Sequence, residues 1–226
     1  MIIVTGASRG LGAAICQRLH NSGHEVVGLA RTATDDGDVP ILSCDVSDPA
    51  AVKATAKTLR QRKTPITGLV NAAGIASMNL AVTTPPHVSQ NLIQTNLLGT
   101  IYCCQQIAPL MMRAKHGVMI NFSTIAVALG LKGESVYAAS KAGVEGFSRA
   151  FAREMADFNI RVNCIAPGPI QTDLLKGITD QQIDDIVARQ VLPQRFTPDD
   201  VCDLVEVLLD DKAASLSGQV LHVGGV

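Results

Sequence analysis

Ile2-Ile3-Val4-Thr5-Gly6-Ala7-Ser8-Arg9-Gly10-Leu11-Gly12-Ala13-Ala14-Ile15-Cys16 carries a β-branched run into a glycine turn and on into an alanine-rich segment. Gly6 permits the sharp exit from a strand. Gly10 and Gly12 let backbone come close, the first to a phosphate and the second to the sheet. A helix starting there presents free N–H groups and the positive end of its dipole to an anion. Strand, glycine turn and helix in this order predict a dinucleotide site formed by Gly6, Ser8, Arg9, Gly10, Leu11 and Gly12.

Outward from this stretch, short β-branched runs alternate with longer helical ones. Strands are predicted at 2–5, 25–29, 40–43, 66–70, 117–123, 160–165 and 219–223. Helices are predicted at 10–22, 49–62, 88–114, 137–157, 179–190 and 198–209. The alternation implies an α/β chain of Rossmann type, a doubly wound parallel sheet of about seven strands with helices on both faces. The polar span 31–40 is too short for a good helix and reads as a loop. At 226 residues the chain suits one domain, 1–226, for cofactor and catalysis together. Hydrophobic residues make up 47% and aromatic residues 3%, which fits a core of aliphatic side chains in a covered parallel sheet. A net charge of −1 argues against nucleic acid or an anionic membrane surface as partner. There is no apolar run long enough to span a bilayer. Met1 leads straight into a strand and leaves no room for a signal peptide, so a cytoplasmic location is expected. Cys16, Cys44, Cys103, Cys104, Cys164 and Cys202 form no metal-type spacing and read as reduced, buried thiols. The five histidines are scattered, and no metal site is expected.

In such a sheet, ligands bind beyond the carboxyl ends of the strands, where strand order reverses. The second strand ends Leu29-Ala30-Arg31. An NAD site ordinarily places an acid there to hold the ribose hydroxyls; here Ala30 takes that place and Arg31 follows. Arg9 reaches the same region from the glycine turn. Two guanidinium groups and no competing acid predict recognition of a 2′-phosphate, hence NADPH (NADP+). Asp35, Asp36 and Asp38 lie nearby in sequence and would blunt the positive field. Asp45 and Val46 are placed to meet the adenine, whereas Ser47 or Asp48 suits the cap of the next helix. Asn71-Ala72-Ala73-Gly74 ends the fourth strand, and its small residues admit the cofactor ribose.

Tyr137-Ala138-Ala139-Ser140-Lys141 opens a later helix and puts Tyr137 and Lys141 on one face. A free phenol titrates near ~10. A neighbouring ammonium would lower that value and make the phenol a usable proton donor. With hydride from a nicotinamide, such a pair reduces a carbonyl. Taken together, the motifs resemble the short-chain dehydrogenase/reductase family, and within it the bacterial 3-oxoacyl-[acyl-carrier-protein] reductases. The resemblance spans essentially the whole chain and rests on Thr-Gly-x-x-x-Gly-x-Gly at 5–12, Asp45-Val46, Asn71 to Gly74, Asn96 in Asn-Leu-Leu-Gly, Tyr137-x-x-x-Lys141 and Pro167-Gly168.

That resemblance implies roles. Tyr137 would be the general acid, and Lys141 would lower its pKa and bind the nicotinamide ribose. Asn96 would support a water chain to Lys141. Pro167, Gly168, Ile170 and Thr172 would orient the nicotinamide carboxamide. The family's carbonyl-polarising Ser falls at Thr124 here, thirteen residues before Tyr137. Thr124 also carries a hydroxyl donor, and the adjacent Ser123 is the alternative. Ala72 replaces a usual Asn and removes one polar cofactor contact; the segment after Arg31 is short and the chain stops somewhat early at Gly224-Gly225-Val226, and these last two changes are expected to affect subunit packing more than chemistry.

The span 172–197 is expected to form a substrate lid, with Leu174, Leu175, Ile178, Ile183, Ile186, Val187 and Leu192 suited to an acyl chain. The implied reaction is reduction of a 3-oxoacyl thioester, on acyl-carrier-protein or coenzyme A, to the 3-hydroxyacyl form, as in fatty acid biosynthesis. Another lipophilic ketone or secondary alcohol is the alternative, and a catalytically silent NADPH-binding scaffold is a further one. Arg113, Lys115 and Arg153 are candidate carrier-docking residues, although Phe158 stands where such reductases often have a basic residue. Enoyl reduction usually goes with a longer Tyr–Lys spacing. The helices at 88–114 and 137–157 and the last strand are those through which the family forms homotetramers.

Overall fold

Seven parallel strands form one sheet in the order β3–β2–β1–β4–β5–β6–β7. The computed structural model describes residues 1–33, 37–172, 175 and 177–226. The strands are β1 (Ile2–Thr5), β2 (Val26–Ala30), β3 (Ile41–Ser43), β4 (Gly68–Asn71), β5 (Gly117–Phe122), β6 (Ile160–Ala166) and β7 (Val220–His222). Both faces of the sheet are covered, and the alternation along β1 shows how. Ile3 packs in one core with Leu59, Met111 and Phe151, while Ile2 and Val4 pack in the other with Ile15, Leu19 and Val201. A strand buried on both faces has no polar side, so it reads as a continuous apolar run. The first core lies under α2 (Pro49–Gln61), α4 (Gly99–Met112) and α6 (Ser135–Met155). The second lies under α1 (Gly10–Asn21) and α8 (Pro198–Leu209).

The order reverses at β1, whose neighbours β2 and β4 run on opposite sides. Thr5 stands in register with Asn71, and Asn71 with Asn121, so the tips of β1, β4 and β5 end level and release their loops at one edge. That edge is the reversal point where an open α/β sheet forms its binding crevice.

The expected strands and most helices are present, and three details differ. The helix read as continuous over 88–114 is divided into α3 (Pro86–Leu92), a widened π-helical turn over Ile93–Leu98, and α4. A short α5 (Ile125–Leu129), capped by the Thr124 side chain, had no periodic signal of its own. The helix expected over 179–190 is the shorter α7 (Asp180–Val187), opened by a reciprocal cap between Thr179 and Gln182. No helix follows β2 among the described residues; Asp35 and Asp36 lie outside them. All six cysteines are buried and unpaired. Among the described residues there is no metal-ligand cluster, and no helix is long and apolar enough to cross a membrane.

Candidate active site

A cleft of about 790 Å³ runs along the carboxyl ends of the strands. At one end the glycine turn shapes its floor. Gly6 has φ +72°, and a Cβ there would lie 2.8 Å from the Cα of Ala73. A Cβ on Gly12 would lie 2.7 Å from the carbonyl carbon of Gly6. Only hydrogen fits at either place. Helix α1 begins immediately after, and no side chain caps its first N–H groups, so they face the cleft beside Ser8, Arg9, Gly10 and Leu11. Arg31, at the end of β2, borders the same wall, as does Asp45. Hydrogen bonds from Ser47, with the Arg31 charge adding to them, hold the Asp45 carboxyl below its ordinary range. The helix cap that follows is Asp48, which accepts from the Ala50 N–H. Val46 is buried in the wall, with Ala72 and Gly74 further along.

One expected cofactor residue sits elsewhere. Asn71 points into the protein, where its amide donates to Asn121 Oδ1 at 2.8 Å, and it forms no part of the cleft wall. Its side chain ties β4 to β5 because the strand register brings the two asparagines face to face.

At the other end, four segments converge. Tyr137 and Lys141 lie one turn apart on α6 and are 8% and 5% exposed. Thr124 borders the cleft beside Tyr137, its hydroxyl acting to lower the phenol's proton affinity while accepting from the Ala126 N–H at 3.2 Å. The neighbouring Ser123 is committed to a different partner, for its hydroxyl donates to Glu145 Oε1 at 2.7 Å. Asn96 occupies the widened turn, fully buried, and grips the chain after β4: its Oδ1 accepts from the Ile75 N–H at 2.8 Å and its amide donates to the Ile75 carbonyl at 2.9 Å. Extra backbone in the turn aims this side chain inward, a use to which π-helical turns are often put. A Cβ on Gly74 would stand 3.3 Å from Asn96 Oδ1 and 3.5 Å from Lys141 Nζ, which brings those two groups to one spot.

The proton affinities differ from the simple expectation. Burial raises the Tyr137 phenol above its usual value; the Glu134 charge adds to this and the Thr124 hydrogen bond opposes it. Burial lowers Lys141 to about 8. Desolvation disfavours the charged form of each group. In this geometry Lys141 donates to the Phe122 carbonyl at 2.9 Å and does not itself pull the phenol down.

Pro167, Gly168, Ile170 and Thr172 form the wall after β6, held in place where the Ile125 N–H donates to the Pro167 carbonyl at 3.0 Å. Beyond them Leu175, Ile178, Ile183 and Ile186 line the cleft, Val187 is buried and Leu192 is exposed; Leu174 lies outside the described residues. Sequence reading passed over Gln190 and Glu134. Gln190 is buried against Gly168 and Gly224, with its amide donating to the carbonyls of Leu192 and Gln194. Neither residue belongs to a motif, and their only signal was a polar residue among apolar neighbours.

A glycine cradle that a methyl group would fill, an uncapped helix start and flanking guanidinium groups together fit a dinucleotide. A family model described as Enoyl-(Acyl carrier protein) reductase matches residues 6–225. The 3-oxoacyl-[acyl-carrier-protein] reductase FabG of Escherichia coli K12 is 33% identical over 234 residues, covering 99% of this chain and 95% of its own. The chain belongs to the short-chain dehydrogenase/reductase family. As a member it is an NAD(P)-dependent oxidoreductase with a nicotinamide cofactor. Among solved structures, the ligand-free aldohexose dehydrogenase (AldT) of Thermoplasma acidophilum superposes with a TM-score of 0.90 at 28% identity, covering 99% of this chain and 92% of its own. ElxO with NADP bound superposes with a TM-score of 0.89 at 25% identity, covering 98% and 96%.

Proposed function

We propose that this short-chain dehydrogenase/reductase uses NADPH to reduce a carbonyl on an aliphatic substrate to an alcohol, with a 3-oxoacyl thioester as the substrate class. The observation that carries this reading is the meeting of Thr124, Tyr137 and Lys141 at the end of a cleft that Leu131, Leu175, Ile178, Ile183 and Ile186 also line. Arg9 and Arg31 would hold the 2′-phosphate, the α1 N-terminus the pyrophosphate, and Ile170 with Thr172 the carboxamide. When bound, the cofactor supplies hydride.

The rest falls to this chain's own groups. Thr124 polarises the carbonyl, a role favoured over Ser123 because the Ser123 hydroxyl donates to Glu145. Tyr137, kept neutral by its surroundings, gives its proton to the developing alkoxide. Lys141, with a pKa of about 8, exchanges protons near neutrality and can recharge the phenol, while Asn96 shapes the path behind it. The span 172–197 serves as the lid, through Ile178, Ile183 and Ile186.

A carrier-bound substrate finds exposed cations at Arg113, Lys115 and Arg153, with the half-buried Phe158 packed on the core. Arg113 and Lys115 precede β5 and so stand at the edge of the sheet away from the cleft. The homotetramer and the cytoplasmic location belong to the same reading.

The test is loss of NADPH absorbance with acetoacetyl-CoA, with a carrier-bound 3-oxoacyl substrate and with crotonyl-CoA. Turnover of either oxo substrate, absent in Tyr137→Phe, is the expected result. Turnover of crotonyl-CoA alone would make the protein an enoyl reductase, as the family model's description has it. Tight NADPH binding with no turnover of any of the three would point to a scaffold.

A further inference from the structure

Beside the aliphatic Leu131, Leu175, Ile178, Ile183 and Ile186, the cleft wall carries one carboxyl group near Tyr137. Glu134 lies three residues before Tyr137, lines the cleft and is 9% exposed. It occupies the cap position of α6, yet its side chain caps nothing. Short side chains of Ser, Thr, Asp or Asn normally do that work. Its backbone alone serves the fold, the carbonyl accepting from the Ala138 N–H at 2.7 Å and the N–H donating to the Leu131 carbonyl at 3.2 Å. Among the described residues no cation and no hydrogen-bond donor meets the carboxylate. Burial accordingly raises its pKa, with no other influence at work. Asp45, the other carboxylate on the cleft wall, lies at the adenosine end and is bonded by Ser47.

The carboxylate oxygens are not fully enclosed but open to the cleft, where partial desolvation carries a cost that no described residue offsets. A donor on a bound molecule would offset it. Glu134 stands one helical turn before Tyr137 and borders the same cleft, on the side where the reacting oxygen must sit, and its charge acts on the phenol. Leu131, Ile178 and Ile186, which line the same cleft, have no polar side chain to offer such a molecule.

We infer that Glu134 is a specificity-determining residue, accepting a hydrogen bond from a hydroxyl or amide N–H that the substrate carries beside its reacting carbonyl. This rests on the carbonyl-reductase reading and narrows it. Favoured substrates are aliphatic ketones bearing such a donor, and ketones bearing a carboxylate at that position are repelled. A hydroxyketone supplies the donor as a hydroxyl, and a thioester of a cysteamine-type arm supplies it as an amide N–H.

The test compares kcat/KM with NADPH in matched pairs. The hydroxyl arm sets hydroxyacetone against butanone. The amide arm sets the N-acetylcysteamine thioester of acetoacetate against its S-butyl thioester, and free acetoacetate probes repulsion. The wild type should favour the donor-bearing member of at least one pair by about tenfold or more, and the responding pair identifies the donor. Glu134→Leu should bring that ratio close to one and improve acetoacetate. Glu134→Gln, which keeps an acceptor oxygen, should retain part of the preference. NADPH binding serves as the folding control; if the Leu variant fails it, a ratio at least halved in the Gln variant carries the test. An undiminished ratio in a folded variant, or no preference in either pair, overturns the inference. No turnover of any ketone by the wild type instead refutes the reductase reading itself, and this inference with it.

Discussion

The two ends of the cleft are built in opposite ways. The adenosine end comes largely from one contiguous stretch, residues 5–12, and its geometry is set by backbone: a positive φ at Gly6, a close approach at Gly12, an uncapped helix start. Its charged groups, Arg9, Arg31 and Asp45, are exposed to solvent. The chemical end draws Asn96, Thr124, Tyr137 and Lys141 from three separate segments, and buries Tyr137 and Lys141 almost completely. Holding an anion tolerates water, because N–H groups and guanidinium ions bind it by direct contact. Moving a proton near neutral pH requires shifted affinities, and burial supplies them.

The sharpest way to break this contrast is Tyr137→Phe. It should lower kcat by about 10²–10⁴-fold while leaving NADPH affinity nearly unchanged, as read by steady-state kinetics and fluorescence titration. Equal losses in both would mean that the two ends do not divide the work as described.

Lys141 tests the role of burial. Lowering an ammonium from 10.5 to about 8 corresponds to on the order of 3 kcal/mol. Below pH 8 both folded and unfolded lysine carry the proton, and the folded state bears the cost of burying it. Between about pH 8 and 10.5 the folded lysine releases its proton while the unfolded one keeps it, so stability rises with pH. Urea unfolding of the wild type relative to Lys141→Met should therefore show a gain across that window; a flat difference would mean that Nζ is well solvated.

At the adenosine end, Arg31→Asp should shift the NADPH to NADH preference in kcat/KM by about tenfold to a hundredfold, with little effect on turnover at saturating cofactor. A fall in saturated kcat would show that the exposed end reaches the chemistry. The smallest effect on activity belongs to Ser123→Ala, which should leave turnover within a few-fold while costing about 1–2 kcal/mol of stability through the loss of its hydrogen bond to Glu145. Thr124→Ala should lower kcat by about tenfold or more, besides costing about 1 kcal/mol through the lost α5 cap, so turnover of the two variants tells the neighbouring hydroxyls apart.

Much of the molecule was legible in the residues. Strands appeared within a residue or two because buried parallel strands are continuous apolar runs, and the glycine turn because its demands are local. The π-helical turn at Asn96 escaped notice because hydrophobic periodicity over 88–114 does not register one extra residue in a turn. Asn71 was placed at the cofactor because its motif neighbours belong there, while the direction of its side chain depends on the register between β4 and β5.

The sequence by itself determined the α/β layering, the dinucleotide cradle and the pairing of Tyr137 with Lys141, since each rests on spacing along one strand, turn or helix. Only the tertiary structure decided that the Ser123 hydroxyl turns to Glu145, that Lys141 is desolvated rather than merely near a phenol, and that Glu134 lines the cleft without a partner among the described residues. Those outcomes turn on burial and on partners distant in the chain, and a side chain's proton affinity and hydrogen bonds are set by what surrounds it in space.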